Sequence, residues 1–137
     1  MRIGIAIDGS ENAVRAAKHA IFLAKHLPNA QLEIIFVADV DKAVDDRLLT
    51  QSPESLTLIR SQKVQPIVEL AEEANIPANV TLLKGNPSEA IINFANHETI
   101  DQLFLGSRGL NTFQEMILGS VSHKVMKHVK CPVTIVK

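Results

Sequence analysis

The chain has 137 residues, with 14 Lys and Arg against 15 Asp and Glu, so its formal net charge is −1. This balance argues against a protein that neutralises nucleic-acid phosphates with a clustered basic excess, and the 4% aromatic content leaves few side chains for stacking on bases. We expect a single domain over residues 1–137, because a domain of this size buries roughly two-thirds of its unfolded surface.

The chain shows no feature of a secreted or membrane protein. Its apolar runs fall short of the roughly 18 residues of a membrane span, and the opening run at residues 3–7 is too short for a signal-peptide core. The single cysteine, Cys131, cannot close an internal disulfide. These observations predict a cytoplasmic protein without membrane or nucleic-acid partners.

The first third of the chain predicts a strand, a helix and a second strand. Residues 3–7 form an apolar run that ends in a turn, as a buried strand does. Small apolar residues at helical spacing follow, and they predict a helix capped by Ser10 and stopped by Pro28. Residues 32–38 contain Ile34, Ile35, Phe36 and Val37 in succession, and this apolar run without alternation predicts a strand covered on both faces, as in a parallel sheet.

The middle of the chain predicts a long loop and a broken helix. Residues 39–51 are polar and acidic and are typical of a connecting loop. Ser52 is the expected cap of a helix that runs to about Ala74. Pro66 lies inside this helical pattern, so we expect a kink or break close to it.

The remaining segments complete an alternation of strands and helices. Residues 80–83 and 103–105 predict the third and fourth strands, and Asn86 is the expected cap of the helix between them. A further helix leads to a last strand at Val133–Val136. The order β-α-β-α-β-α-β-α-β implies an α/β fold with a doubly wound parallel sheet. In such sheets ligands bind at the carboxyl ends of the strands, where the strand order reverses.

The segment after the fourth strand carries glycines and serines where that ligand is expected. Gly106 and Gly109 follow the strand, and the absence of Cβ lets a ligand approach their backbone. Gly119 and Ser120 mark the start of a helix, whose free N–H groups and the hydroxyls of Ser120 and Ser122 suit phosphate oxygens. The combination predicts an anion site, although each residue taken alone is more often a turn former or a helix cap.

Two neighbouring residues and two missing motifs define this site further. Arg108 lies between the first two glycines and adds a mobile positive charge. Asp8, at the end of the first strand, fits a ligand contact and a turn former equally well. The loop is not a P-loop, because no Gly-Lys-Ser/Thr follows it, and the dinucleotide fingerprint Gly-x-Gly is absent.

Together these motifs resemble the universal stress protein family along the whole chain. They are Asp8-Gly9-Ser10, the turn Gly85-Asn86-Pro87, Asp101 before the fourth strand, the spacing Gly106-x2-Gly109-x9-Gly119-Ser120, and the closing Cys131-Pro132-Val133. Family members with this glycine spacing bind ATP, so the resemblance implies the ATP-binding branch. It also implies a five-stranded sheet of order 3-2-1-4-5 with helices on both faces, similar to the adenine nucleotide alpha hydrolases.

The resemblance implies a nucleotide-binding site, whose residues are those that match the family's motif positions in this sequence. Asp8 would lie near adenine and ribose, Val37 would contact adenine through its backbone, and Leu105 and Gly106 would approach the ribose. Gly109 would lie against the sugar and phosphates, and the phosphates would be held by Gly119, Ser120, Val121 and Ser122. Arg108 adds its charge for the same phosphates. Leu105 stands where methionine is frequent in the family, a substitution that preserves volume and apolar character.

The implied function is that of an ATP-binding stress-response module, with Mg²⁺ or Mn²⁺ accompanying the nucleotide. The apolar strand Val133–Val136 is expected at the sheet edge, where two copies would pair into a homodimer. A slow ATP hydrolase or phosphotransferase is an alternative, although no residue stands out as a base for an attacking water. A structural dimerisation domain without nucleotide is another.

The sequence also bears on metal sites and nucleophilic side chains. The five histidines show no metal-ligand spacing beside an acid, so no zinc site is predicted. Cys131 is interpreted as a small buried thiol, because no base stands beside it in the sequence. No catalytic residue is therefore assigned.

Overall fold

The computed structural model describes residues 1–39, 58, 60–108 and 118–137. Five strands form one parallel sheet in the order β3-β2-β1-β4-β5. They are β1 (Arg2–Ile7), β2 (Gln31–Asp39), β3 (Ala78–Gly85), β4 (Gln102–Gly106) and β5 (Val133–Val136). The predicted doubly wound α/β sheet and its strand order are confirmed, and β5 lies at the sheet edge as the sequence predicts.

Helices cover both faces of this sheet. They are α1 (Glu11–Ala24), α2 (Gln65–Glu73), α3 (Pro87–His97) and α4 (Ser120–His128), with a π-helical turn at Arg60–Val64 directly before α2. On one face α1 and α2 pack against β1 and β2 around Ile5 and Ile34. On the other face α3 and α4 enclose Ile35 and Leu103. Both cores are apolar, which explains the apolar runs of the central strands.

The structure moves some predicted boundaries. Helix α1 ends at Ala24 instead of continuing to Pro28, because the N–H groups of His26 and Leu27 bond only three residues back, to the carbonyls of Leu23 and Ala24. Asn29 then turns the chain with a φ of 57°. Strand β3 is longer than residues 80–83 at both ends, since Ala78–Gly85 pairs residue by residue with residues 32–39 of β2.

The helix before β3 is broken where the sequence predicts it. The π-helical turn ends at Val64, and α2 begins at Gln65 with Pro66 in its first turn. A proline is tolerated there, because first-turn N–H groups have no partner within the helix. The predicted Ser52 cap and most of the acidic loop lie outside the described residues.

The amino ends of the strands, opposite the carboxyl edge, are joined by an ion pair. The Arg2 guanidinium lies 2.9 Å from a carboxylate oxygen of Glu33, and the same oxygen accepts a hydrogen bond from Asn79. Glu33 is buried, so these partners satisfy a charge that would otherwise be costly. In the part of the chain that the structure describes, no helix is long and apolar enough to cross a membrane.

Candidate functional site

The carboxyl ends of β1 and β4 lie side by side in the middle of the sheet. Ala6 of β1 pairs with Leu105 of β4, but the two strands continue to opposite faces. After β1 the chain enters α1 on one face, and the helix after β4, α4, packs on the other. This divergence is the topological switch point at which doubly wound sheets bind ligands.

The turn after β1 is built around Asp8 and Ser10. Oδ1 of Asp8 accepts a hydrogen bond of 2.9 Å from the Ser10 N–H, and Gly9 between them has a φ of +87°, which favours glycine. The Ser10 hydroxyl accepts from the Ala13 N–H at 3.2 Å, so the predicted helix cap is confirmed. Asp8 is thus held in a turn while remaining half-exposed at the edge of the crevice.

A lysine that the sequence analysis missed lies against this turn. A Cβ on Gly9 would stand 3.0–3.3 Å from three carbons of the Lys63 side chain. The Lys63 ammonium is 5.6 Å from the ring centroid of Phe36 in β2, a cation–π arrangement. Lys63 precedes Pro66 by three positions, in the segment predicted as a helix broken near Pro66, and the sequence pattern there gives no signal of a contact with the turn after β1.

Gly106 ends β4, and the space beside it is occupied by α1. A Cβ on Gly106 would lie 2.7 Å from the Asn12 Cβ and 3.0 Å from the Asn12 carbonyl carbon. The sequence predicts that the missing Cβ of Gly106 gives room to a ligand. In the structure this room is instead filled by the first turn of α1.

Ser107, the next residue, is a buried junction of hydrogen bonds. Its N–H donates to the Val136 carbonyl at 2.7 Å, and its carbonyl accepts from the Gly119 N–H at 2.7 Å. Its hydroxyl accepts from the Asn12 amide at 3.2 Å. The end of β5, the start of α4 and the start of α1 therefore meet at one residue.

The start of α4 is presented beside the end of β4. The Ser122 hydroxyl donates to the Gly106 carbonyl at 2.6 Å, and Ser122 is only 4% exposed. This differs from the expectation that the Ser122 hydroxyl faces a phosphate, since its proton is used within the protein. The Ser120 side chain is exposed, and the first N–H groups of α4, at Ser120, Val121 and Ser122, need partners from outside the helix.

The family model of the universal stress protein family matches residues 1–137. This chain belongs to the universal stress protein family. Its relatives include universal stress protein MJ0531 of Methanocaldococcus jannaschii, 32% identical over 99% of this chain and 81% of that protein. Universal stress protein YxiE of Bacillus subtilis is 31% identical over 97% of this chain and 96% of that protein.

Solved structures of universal stress proteins share the fold. That of MJ0577 from Methanocaldococcus jannaschii has a TM-score of 0.87 at 28% identity, over 99% of this chain and 94% of that chain. A universal stress protein in complex with cAMP has a TM-score of 0.73 at 25% identity, over 100% and 96% of the two chains. An Arabidopsis thaliana family protein with AMP bound, 20% identical with a TM-score of 0.72 over 100% and 91%, shows the common fold.

In this universal stress protein, most of the predicted site residues gather at the carboxyl edge. Val37 lies one position beyond the Ile7–Phe36 pair, in β2, and is half-buried. Leu105 is 3% exposed in the core below the crevice, so only its backbone is available to a ligand. Arg108 is half-buried just beyond β4, whereas Gly109 lies outside the described residues.

Proposed function

We propose that this universal stress protein binds an adenine nucleotide in the crevice between the carboxyl ends of β1 and β4. The nucleotide is ATP, accompanied by Mg²⁺ or Mn²⁺. Its contacts come from the set Asp8, Val37, Leu105, Gly106, Arg108, Gly109, Gly119, Ser120, Val121 and Ser122. Leu105 contributes through its backbone, and Ser122 contributes its N–H while its hydroxyl orders the loop.

The presentation of the α4 amino terminus carries this proposal. Hydrogen bonds from Gly119 to Ser107 and from Ser122 to Gly106 fix this terminus beside the switch point. A helix start offers free N–H groups and the positive end of the helix dipole, both of which favour phosphate oxygens. The Arg108 guanidinium supplies a charge matched to the same anion.

Two further observations support an adenine nucleotide as the ligand. The relative solved with cAMP shares this fold over 96% of its chain at 25% identity. The carboxylate of Asp8 stands half-exposed at the end of β1, where it can accept hydrogen bonds from ribose hydroxyls. Mg²⁺ is usually held by phosphate oxygens, water and one or two carboxylates, so the crevice needs no dedicated metal cage.

At the level of the molecule, we propose a homodimeric stress-response module that responds to the bound nucleotide. The edge strand β5 provides the pairing surface, and its last residues are hydrogen-bonded to the loop that follows β4. An exposed strand edge is a ready template for a second copy. Nucleotide occupancy then acts on the dimer or on a partner protein through that loop.

Isothermal titration calorimetry with ATP and Mg²⁺ tests the proposed site. The wild-type chain should bind with a Kd below about 1 mM, and Gly119→Val should weaken binding roughly tenfold or more by crowding the helix start. Gly119 has φ −69° and ψ 162°, which any residue adopts, so the substitution tests space for a ligand without imposing backbone strain.

The proposal fails if ATP binds more weakly than this, or if Gly119→Val binds as tightly as the wild type. The control is the thermal unfolding curve of Gly119→Val, which checks that this variant remains folded. Phosphate release over hours, with Ser120→Ala as the comparison, reports whether the bound ATP is also hydrolysed.

A further inference from the structure

We infer that Asn12 and Ser107 act as one positioning unit that holds the start of α4 in place for the phosphate of the nucleotide. This inference rests on the proposed function, since it assigns a role within the same site. Asn12 belongs to the first turn of α1, and Ser107 follows β4. Their hydrogen bond therefore joins the two elements that separate at the switch point.

Ser107 is firmly connected to the start of α4. Ser107 is 3% exposed, and its N–H, carbonyl and hydroxyl all have protein partners. The carbonyl accepts the Gly119 N–H at 2.7 Å, directly before the free N–H groups of Ser120 and Val121. A displacement of Ser107 would therefore move the groups proposed to bind phosphate.

The orientation of the Asn12 amide is set by its hydrogen bonds. Its Oδ1 accepts a hydrogen bond from the Arg15 guanidinium, whose Nε donates to the Lys137 carbonyl at 2.8 Å. Its Nδ2 is left to donate to the Ser107 hydroxyl. The Asn12 Cβ also packs against Gly106. Asn12 is thus fixed on three sides, so it can fix Ser107 in turn.

The Asn12–Ser107 hydrogen bond acts on the phosphate end of the proposed ligand. The Asn12–Ser107 bond controls the start of α4, which faces phosphate in the proposed site. Asp8, proposed to lie near the ribose, is held separately through the Ser10 N–H. Loss of the Asn12–Ser107 bond should therefore weaken a nucleotide with a phosphate more than the nucleoside without one.

The test is a double-mutant cycle with AMP and adenosine as the titrated molecules. The variants are Asn12→Ala, Ser107→Ala and their combination, with Asn93→Ala as the control, an exposed asparagine on α3. Each single substitution should weaken AMP binding roughly five- to tenfold, the value of one hydrogen bond. The double variant should lose no more than the weaker-binding single variant, because both substitutions break the same contact. Adenosine affinity should change less than twofold, and the control should match the wild type.

The possible results separate the inference from the function on which it rests. Additive losses of AMP affinity in the cycle, equal losses for adenosine, or singles that bind like the wild type would each overturn the positioning unit. A wild-type chain that binds neither AMP nor ATP would instead overturn the proposed function, and one that binds ATP but not AMP is carried through the same cycle with ATP in place of AMP. If Asn12→Ala unfolds, Ser107→Ala decides alone, through its ratio of AMP to adenosine affinity. Ser107→Ala removes a single oxygen and keeps the main-chain bonds to Val136 and Gly119.

Discussion

Gly106 shows how a single hydrogen in place of a side chain lets two elements approach each other. The first turn of α1 lies where a Cβ would stand, with Asn12 atoms at 2.7 and 3.0 Å and the Ala13 nitrogen at 3.2 Å. Two of these three atoms belong to the backbone, which cannot rotate away as the end of a long side chain would. The glycine is therefore required for packing before any ligand arrives.

Gly106→Ala should lower the free energy of unfolding by about 1–3 kcal/mol, the usual range for overpacking. It should also weaken AMP binding, because α1 and the loop after β4 are forced apart. Chemical denaturation and calorimetry measure the two effects. An unchanged unfolding free energy would show that the first turn of α1 moves aside freely.

Gly85→Ala is the matched control for that experiment. Gly85 has a φ of +116° and open space around its Cβ position, so alanine there brings backbone strain without a clash. The strain should cost roughly 1 kcal/mol or more of stability, but AMP affinity should stay that of the wild type. A parallel loss of affinity in both glycine variants would mean that general destabilisation weakens binding.

Cys131 illustrates a residue whose reactivity follows from its surroundings. Burial raises the pKa of the Cys131 thiol, and the nearby Asp101 carboxylate raises it further. Because the thiolate is the reactive form, a raised pKa leaves less of it at neutral pH. We expect alkylation by iodoacetamide at pH 7.5 to be several-fold slower than for glutathione, and faster in the unfolded protein. Reaction as fast as glutathione in the folded protein would contradict this expectation.

At the scale of elements, the attachment of α4 to β4 depends on one of two neighbouring serines. Ser122 is buried and donates to the Gly106 carbonyl at 2.6 Å, whereas Ser120 is exposed at the helix start. The sequence presents both hydroxyls as equivalent phosphate ligands. Their different roles depend on which face of α4 meets β4, a tertiary fact that local pattern does not contain.

Substitution of the two serines should therefore affect different properties, stability for Ser122 and ATP affinity for Ser120. Ser122→Ala should lower the free energy of unfolding by about 1–2 kcal/mol, because the Gly106 carbonyl loses a partner in a buried place. Ser120→Ala should leave stability within about 0.5 kcal/mol but reduce ATP affinity. Denaturation curves measure the stability of both variants, and calorimetry measures their ATP affinity. Equal stability of the two would refute the assignment of Ser122 as a structural tie.

Much of the element order follows from local chemistry. The apolar runs of β1, β2 and β4 mark strands buried on both faces, and Ser10 and Asn86 cap their helices as the sequence predicts. The bonds of Ser107 could not be predicted in the same way. They join residues 12, 119 and 136, which local pattern does not connect.

At the scale of the whole molecule, β5 is the outermost strand on one side of the sheet, and one edge of its backbone has no strand partner among the described residues. The carbonyls of Pro132 and Val136 accept hydrogen bonds from Leu103 and Ser107 at the β4 side. Backbone groups alternate in direction along a paired strand, so Thr134 also faces β4. The N–H and carbonyl groups of Val133 and Ile135 then point outward, as a second copy would require.

Ile135→Pro should convert the proposed dimer into a folded monomer. Proline removes an outward N–H and leaves the bonds to β4 intact, and proline is tolerated in edge strands for this reason. Sedimentation velocity measures the assembly, and circular dichroism measures the fold. Thr134→Pro is the comparison, because it removes an N–H from the β4 ladder and should destabilise the monomer itself. A dimeric Ile135→Pro variant would place the dimer interface elsewhere.

The pairing of β1 with β4 also determines when the crevice can exist during biosynthesis. Ile3 pairs with Gln102 and Ala6 with Leu105, so the two walls are about a hundred positions apart in the order of translation. Contacts of such long range form late and slowly, since a large loop must lose conformational entropy before these contacts can stabilise the fold. A ribosome-bound fragment that stops before β4 contains the β1 side of the proposed site but lacks the β4 side. The protein therefore acquires its proposed sensitivity to nucleotide only after β4 has been translated and paired with β1, so a fragment that lacks β4 should not respond to nucleotide.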